Sequence, residues 1–121
     1  MLTKKIIIKG IMMFKFKERI ETKTIDVLLT NTGDEDITVR QLRAKYKQQG
    51  SFEIKSHYVI TKDGEQISIR DVNVLSGIGE NNVVILVVGS TISDVQMKAV
   101  ETLVHELKNQ YPDVETVSYK E

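Results

Sequence analysis

Two histidines, one of them directly following a serine, are the side chains best suited to acid–base or metal chemistry in this 121-residue chain. Imidazole titrates near neutral pH and offers two ring nitrogens, so it serves as a general base or as a metal ligand. Ser56-His57 sets a hydroxyl beside an imidazole, and with a carboxylate such as Asp71 these are the groups a nucleophilic hydrolase needs. On a strand, however, successive side chains point to opposite faces, which separates a nucleophile from its base. His57 therefore reads as a structural histidine bonded to a backbone group. His105 lies between Leu103 and Leu107, yet at about 100° per helical residue it falls opposite the apolar face and is expected to be solvated.

The other candidates are weaker. Asp34-Glu35-Asp36 sits in a turn without the spaced oxygen ligands and central glycine of a calcium loop, so it reads as a solvated acidic turn. Ser76-Gly77-Ile78-Gly79-Glu80 lacks a following Gly-Lys-Ser/Thr and precedes a strand, which removes the helix N-terminus a phosphate loop relies on. Arg40, Arg43, Lys45 and Lys47 form a charged helix face that solvent satisfies.

The elements that position these residues follow from periodicity. Ile and Val number 28 against 8 Leu, a bias toward sheet, because β-branched side chains suit a pleated surface. Strands are expected over Phe14–Lys17 and Thr24–Thr30, ended by the turn residues Asn31 to Asp36. A helix carrying Val39, Leu42 and Tyr46 on one face runs to Gly50. Phe52–Thr61 and Gln66–Arg70 flank Asp63-Gly64, a strong hairpin signal. Asn82–Gly89 reads as a central strand covered on both faces. Ser93-x-x-Gln96 has the form of a capping box, and it opens a helix through Tyr111. Asp113–Glu121 reads as a last strand.

Seventeen basic and seventeen acidic residues give a formal net charge of zero, so no global field draws nucleic acid, and none is expected as partner. No cysteine is present, which removes disulfides and thiolate chemistry. The three-isoleucine run after the first lysines ends at Lys9, too short for a signal sequence, and no apolar stretch approaches the ~20 residues of a membrane span. A cytoplasmic location without membrane contact is expected.

Taken in order, these elements resemble the zinc-dependent N-acetylmuramoyl-L-alanine amidases of the peptidoglycan-recognition fold, and within them the amidase-type lysozymes of phages. The resemblance is carried by Phe16-Lys17-Glu18-Arg19, by Val39-Arg40-Gln41-Leu42-Arg43 through Gly50, by Ser56-His57-Tyr58-Val59-Ile60 with Lys62-Asp63-Gly64, and by Val87-Val88-Gly89 with Gln96-Met97. It implies an α/β fold with a mixed β-sheet flanked by helices. Residues 14–121 are then a degenerate amidase-like domain. Residues 1–13 are an N-terminal extension, either an added strand pairing with Phe14–Lys17 or an upstream start.

The resemblance also implies where zinc ligands would fall, and the residues there depart from the family. The first histidine position is occupied by Leu28. The second falls at Tyr119 or Lys120, the third lies beyond Glu121, and the tyrosine before the hairpin histidine is Ser56. Neither catalytic residues, metal ligands nor a cofactor are therefore assigned. The expected function is binding through the old substrate groove, lined near Leu28, Thr30, Ser56, His57 and Tyr119. The expected partner is a peptidoglycan fragment or a protein, with homo-oligomers open. Phage members of the family also bind and inhibit their RNA polymerase, so a regulatory contact is one form of this expectation. The alternative is an amidase or other cell-wall hydrolase with a rearranged site, or with ligands supplied by a partner chain.

Overall fold

The computed structural model describes residues 17–51 and 53–120, together with the backbone of residues 7–8 and 11–12. First comes a short antiparallel ladder of β1 (Ile7–Ile8) and β2 (Ile11–Met12), separate from the main sheet. Most of the strand expected over Phe14–Lys17 lies outside the described residues. At its end Glu18 bridges Val74 in antiparallel fashion.

The main sheet is built from β3 (Thr24–Leu29), β4 (Tyr58–Ile60), β5 (Gln66–Ser68), β6 (Asn82–Val87) and β7 (Thr116–Lys120). Their order is β5-β4-β6-β3-β7, parallel except for the β4–β5 hairpin. The fold class is thus the expected mixed α/β sheet. β6 is buried along its whole length, as a continuous apolar run in a doubly covered strand should be.

Two helices cover the two faces. α1 (Val39–Gln48) and α2 (Asp94–Gln110) each begin with a capping box, Thr38 with Gln41 and Ser93 with Gln96. Each box satisfies two backbone N–H groups that the first helical turn leaves unpaired. Ser93-x-x-Gln96 is legible in sequence, and Thr38-x-x-Gln41 is a second instance of the same pattern. Beyond the C-cap Gln49, Gly50 turns the chain out of α1 with φ 87°, the left-handed geometry glycine adopts cheaply.

Alternation along the strands sends Ile25, Val27, Ile60, Val83, Ile85 and Val87 toward α2, where they pack on Val100, Leu103, Val104 and Leu107. The opposite set, Val59, Leu86 and Val88, packs with Ile37, Leu42 and Ile54 on the α1 side. Fully burying one such side chain stabilises by roughly 1.5–3 kcal/mol. The core is therefore held from both faces, and the chain order across it matters for the site. β3 leaves through α1 toward β4, whereas β6 leaves through α2 toward β7.

All five strands of the main sheet are shorter than the sequence suggests, β3 and β6 ending at Leu29 and Val87. β4 begins at Tyr58, β5 stops at Ser68, and β7 spans only Thr116–Lys120. Residues 53–57 stand outside the strand, although His57 N–H donates to the Val84 carbonyl and the His57 carbonyl accepts from Ile69 N–H. The Val84 N–H is received by the His57 ring, and the Ser56 hydroxyl sits against the carbonyls of Tyr58 and Val84. Ahead of β7, Val114 N–H closes a turn onto the Tyr111 carbonyl.

Candidate functional site

In an open α/β sheet, ligands bind beyond the carboxyl ends of the strands where successive connections diverge to opposite faces. Here that point lies between β3 and β6. The loops leaving these strands are stitched together: Gly89 N–H donates to the Thr30 hydroxyl at 2.8 Å, which lies 2.7 Å from that of Thr32. Asn31 N–H donates to the Gly89 carbonyl at 2.8 Å, and Gly33 N–H donates to the Ser90 hydroxyl at 2.8 Å. Gly89 has φ 126°, and a Cβ there would stand 3.2 Å from the Thr91 carbonyl and 3.5 Å from the Lys62 ammonium. Backbone, hydroxyls and one cation thus converge at the end of the sheet.

Register decides which side chains reach this point from β3 and β7. Leu28 is paired with Lys120 and Val27 with Tyr119. Partners in parallel strands share a face, and neighbours in sequence do not. Leu28 and Lys120 therefore lie together on the α1 side. Tyr119 lies on the α2 side, half exposed, beside a hollow of about 330 Å³ lined also by Leu29, Ser90, Thr91, Ile92 and Lys120. Below Leu28 on its own face, the Ser76 hydroxyl donates to Asn82 Oδ1 at 2.8 Å, and Asn82 Nδ2 donates to Asp26 at 2.7 Å.

Ser56 and His57 are both fully buried. The His57 ring receives Val84 N–H at Nδ1, 3.0 Å, which places the proton on Nε2, and Nε2 donates to the Val74 carbonyl at 2.7 Å. Burial pushes this imidazole down from 6.5 to about 4, with Arg19 and Arg70 acting in the same direction and the Val74 bond opposing them. Both nitrogens and the Ser56 hydroxyl are engaged with backbone, so this is not a nucleophile and its base. His105 is exposed on α2. The five residues expected to line one groove are divided: Leu28 on the α1 face, Tyr119 on the α2 face, Thr30 at the strand end, Ser56 and His57 inside.

Among the described residues, no group of three His, Asp or Glu side chains lies close enough to hold a metal ion. Catalytic zinc takes three nitrogen, oxygen or sulfur ligands and leaves one position open. The Leu28–Lys120 pair offers a hydrocarbon and an ammonium, which do not fit it. Nor does any helix among the described residues have the length and apolarity to cross a membrane.

Known proteins share this architecture. The chain is 28% identical over 112 residues to the endolysin of Enterobacteria phage K11, spanning 81% of this chain and 74% of that one. It is 30% identical over 111 residues to the endolysin of Klebsiella phage KP32, spanning 80% and 74%. The chain belongs to the phage endolysin family. This endolysin-family chain also superimposes on the endolysin N-acetylmuramoyl-L-alanine amidase LysCS of Clostridium intestinale with TM-score 0.72 at 20% identity, over 86% of this chain and 72% of that one. Bumblebee PGRP-SA gives TM-score 0.65 at 20% identity, over 85% and 73%. The fold of the endolysin-family chain is thus that of these amidase and PGRP structures. No protein-family model matches it.

The sequence reading missed two features. Lys62 at the Gly89 turn is one, and no local pattern announces it. The other is Arg19 with Tyr111 and Asn73, residues far apart in sequence that only the fold brings together.

Proposed function

We propose that this endolysin-family domain acts by binding a cell-wall peptidoglycan fragment at the carboxyl ends of β3 and β6, without zinc-dependent hydrolysis. The observation that carries the reading is that Leu28, where the family resemblance places the first zinc ligand, is paired with Lys120, one of the two positions it allows for the second, and neither is a zinc ligand. Binding has support from the switch-point geometry at Thr30 and Gly89, and from cationic Lys62 and Lys120 beside it, which suit the carboxylates of a peptide stem. A protein partner at the same place is the other form of this reading.

The second reading is an N-acetylmuramoyl-L-alanine amidase, and its support is the relationship to the two phage endolysins. Incubation with purified peptidoglycan separates the two. Co-sedimentation without release of new amino termini, with or without added zinc, supports binding alone. Zinc-dependent release that scales with protein concentration overturns it, and failure to co-sediment removes peptidoglycan as the ligand.

A further inference from the structure

At the end of the sheet opposite Gly89, the segments preceding β3, β6 and β7 surround a hollow of about 270 Å³. Its central group is Arg19. The guanidinium donates from Nε to the Thr22 hydroxyl at 2.7 Å and from Nη1 to the carbonyls of Val72 and Val74 at 2.7 and 3.0 Å. It lies 4.9 Å above the centre of the Tyr111 ring. Nη2 makes no hydrogen bond among the described residues, and no buried side-chain nitrogen or oxygen among them lacks a partner. That donor is therefore not fully enclosed, and Arg19, which also interacts with the Tyr111 side chain, lines the hollow.

Tyr111 fixes a second donor. Its hydroxyl accepts from Gln110 Nε2 at 3.3 Å and so spends its own proton on Asn73 Oδ1. A hydroxyl has one proton to give, so this pair of bonds sets the orientation of the Asn73 amide and leaves Nδ2 free. Two preset donors, one charged, thus flank the same space, an arrangement that matches the two oxygens of a carboxylate. Among the described residues no carboxylate forms an ion pair with Arg19, although Asp71 acts on its guanidinium electrostatically.

The rim supplies the opposite charge. Glu21 and Asp113 line the hollow. Lys23 sits 3.3 Å from Glu115 and 4.0 Å from Glu21, which leaves Asp113 without an ion pair among the described residues. Ile20, 81% exposed, adds an apolar wall.

We propose that this hollow is a second ligand site, taking a small zwitterion of amino-acid type, with the carboxylate on Arg19 Nη2 and Asn73 Nδ2 and the ammonium on Asp113. It lies at the end of the sheet away from the switch point and does not depend on the proposed function. Its volume admits an amino acid or a dipeptide.

The test is an NMR titration of the full ¹⁵N-labelled chain with glycine, sodium acetate, methylammonium chloride and sodium chloride at matched ionic strength. Saturable shifts of the Asn73 side-chain amide and Arg19 Nε–H are expected with glycine, at a dissociation constant of about 1 mM. Acetate should bind several-fold more weakly, and sodium chloride should produce no saturation. Asn73→Asp keeps the acceptor for Tyr111 but replaces the free donor with a like charge, and it should abolish the glycine shifts with the unfolding temperature unchanged. Asp113→Asn, at an exposed site, should erase the preference for glycine over acetate. Absence of saturation with glycine, equal shifts with sodium chloride, or glycine binding that survives both substitutions overturns the proposal.

Discussion

Leu28 and Lys120 stand side by side across the β3–β7 ladder, on the α1 face of the sheet and at its carboxyl end. A pair in this position is set for two ligands to meet one ion, since partners on adjacent strands have Cβ atoms about 5 Å apart. At this place Leu28 offers a hydrocarbon and Lys120 an ammonium, neither of which is an ordinary zinc ligand.

Restoring ligands should therefore restore binding. Leu28→His with Lys120→His is expected to bind zinc at least tenfold more tightly than either single variant, because two imidazoles then converge on one ion. Calorimetric titration with zinc checks this. Equal affinities for the double and single variants would show that the two positions do not face each other.

Acid should unfold this protein in part through His57. Its folded-state pKa of about 4 lies below the ordinary 6.5, so the unfolded chain binds the proton more readily. The contribution is complete above pH 6.5 and is lost as pH falls through that window toward 4. It amounts to roughly 3 kcal/mol. Denaturant titrations at intervals between these pH values should show this loss, and in His57→Gln the part of the slope due to imidazole should vanish. A His57→Gln profile parallel to the wild type would assign the loss to carboxylates.

Gln96 joins the start of α2 to the ends of β4 and β6. It is 1% exposed, donates from Nε2 to the carbonyls of Thr61 and Val88, and accepts Ser93 N–H at Oε1. Gln96→Ala leaves two carbonyls and one N–H without this partner, and each group left unpaired in the interior costs about 1–3 kcal/mol. Loss of several kcal/mol in chemical denaturation is expected, against a change near zero for the exposed Lys98→Ala. A loss below that of an ordinary cap substitution, about 1 kcal/mol, would contradict the assignment.

Gly89 is required by backbone geometry. With φ 126° and a Cβ that would meet the Thr91 carbonyl at 3.2 Å, Gly89→Ala should cost about 1–3 kcal/mol. It should also weaken ligand binding at the switch point more than it lowers stability, because it displaces Lys62 and the Thr30 bond. Comparing melting temperature with peptidoglycan co-sedimentation separates the two effects.

Much of the fold is legible in the sequence where a local rule and the tertiary structure agree. Asp63-Gly64 gives the hairpin, Ser93-x-x-Gln96 the start of α2, and the apolar run after Asn82 the covered strand, which ends at Val87 and not at Gly89. Legibility fails where one residue of register decides the outcome. Tyr119 and Lys120 are equivalent in a sequence comparison, yet they point to opposite faces, and only the pairing with Val27 and Leu28 tells them apart. It fails again at residues 53–57, a β-type run that stays outside the strand, where the His57 ring and not a backbone carbonyl receives the Val84 N–H. The Arg19 cluster was unreadable for a different reason, since Arg19 and Asn73 meet through backbone pairing of distant loops.

The proposed function keeps the endolysin fold for binding without zinc-dependent hydrolysis. The most direct measurement is the zinc content of the purified full chain, by mass spectrometry, after incubation with excess zinc and desalting. Zinc far below one ion per chain is expected. One zinc per chain, retained through desalting and lost on chelation, would contradict it and return the amidase reading to the front.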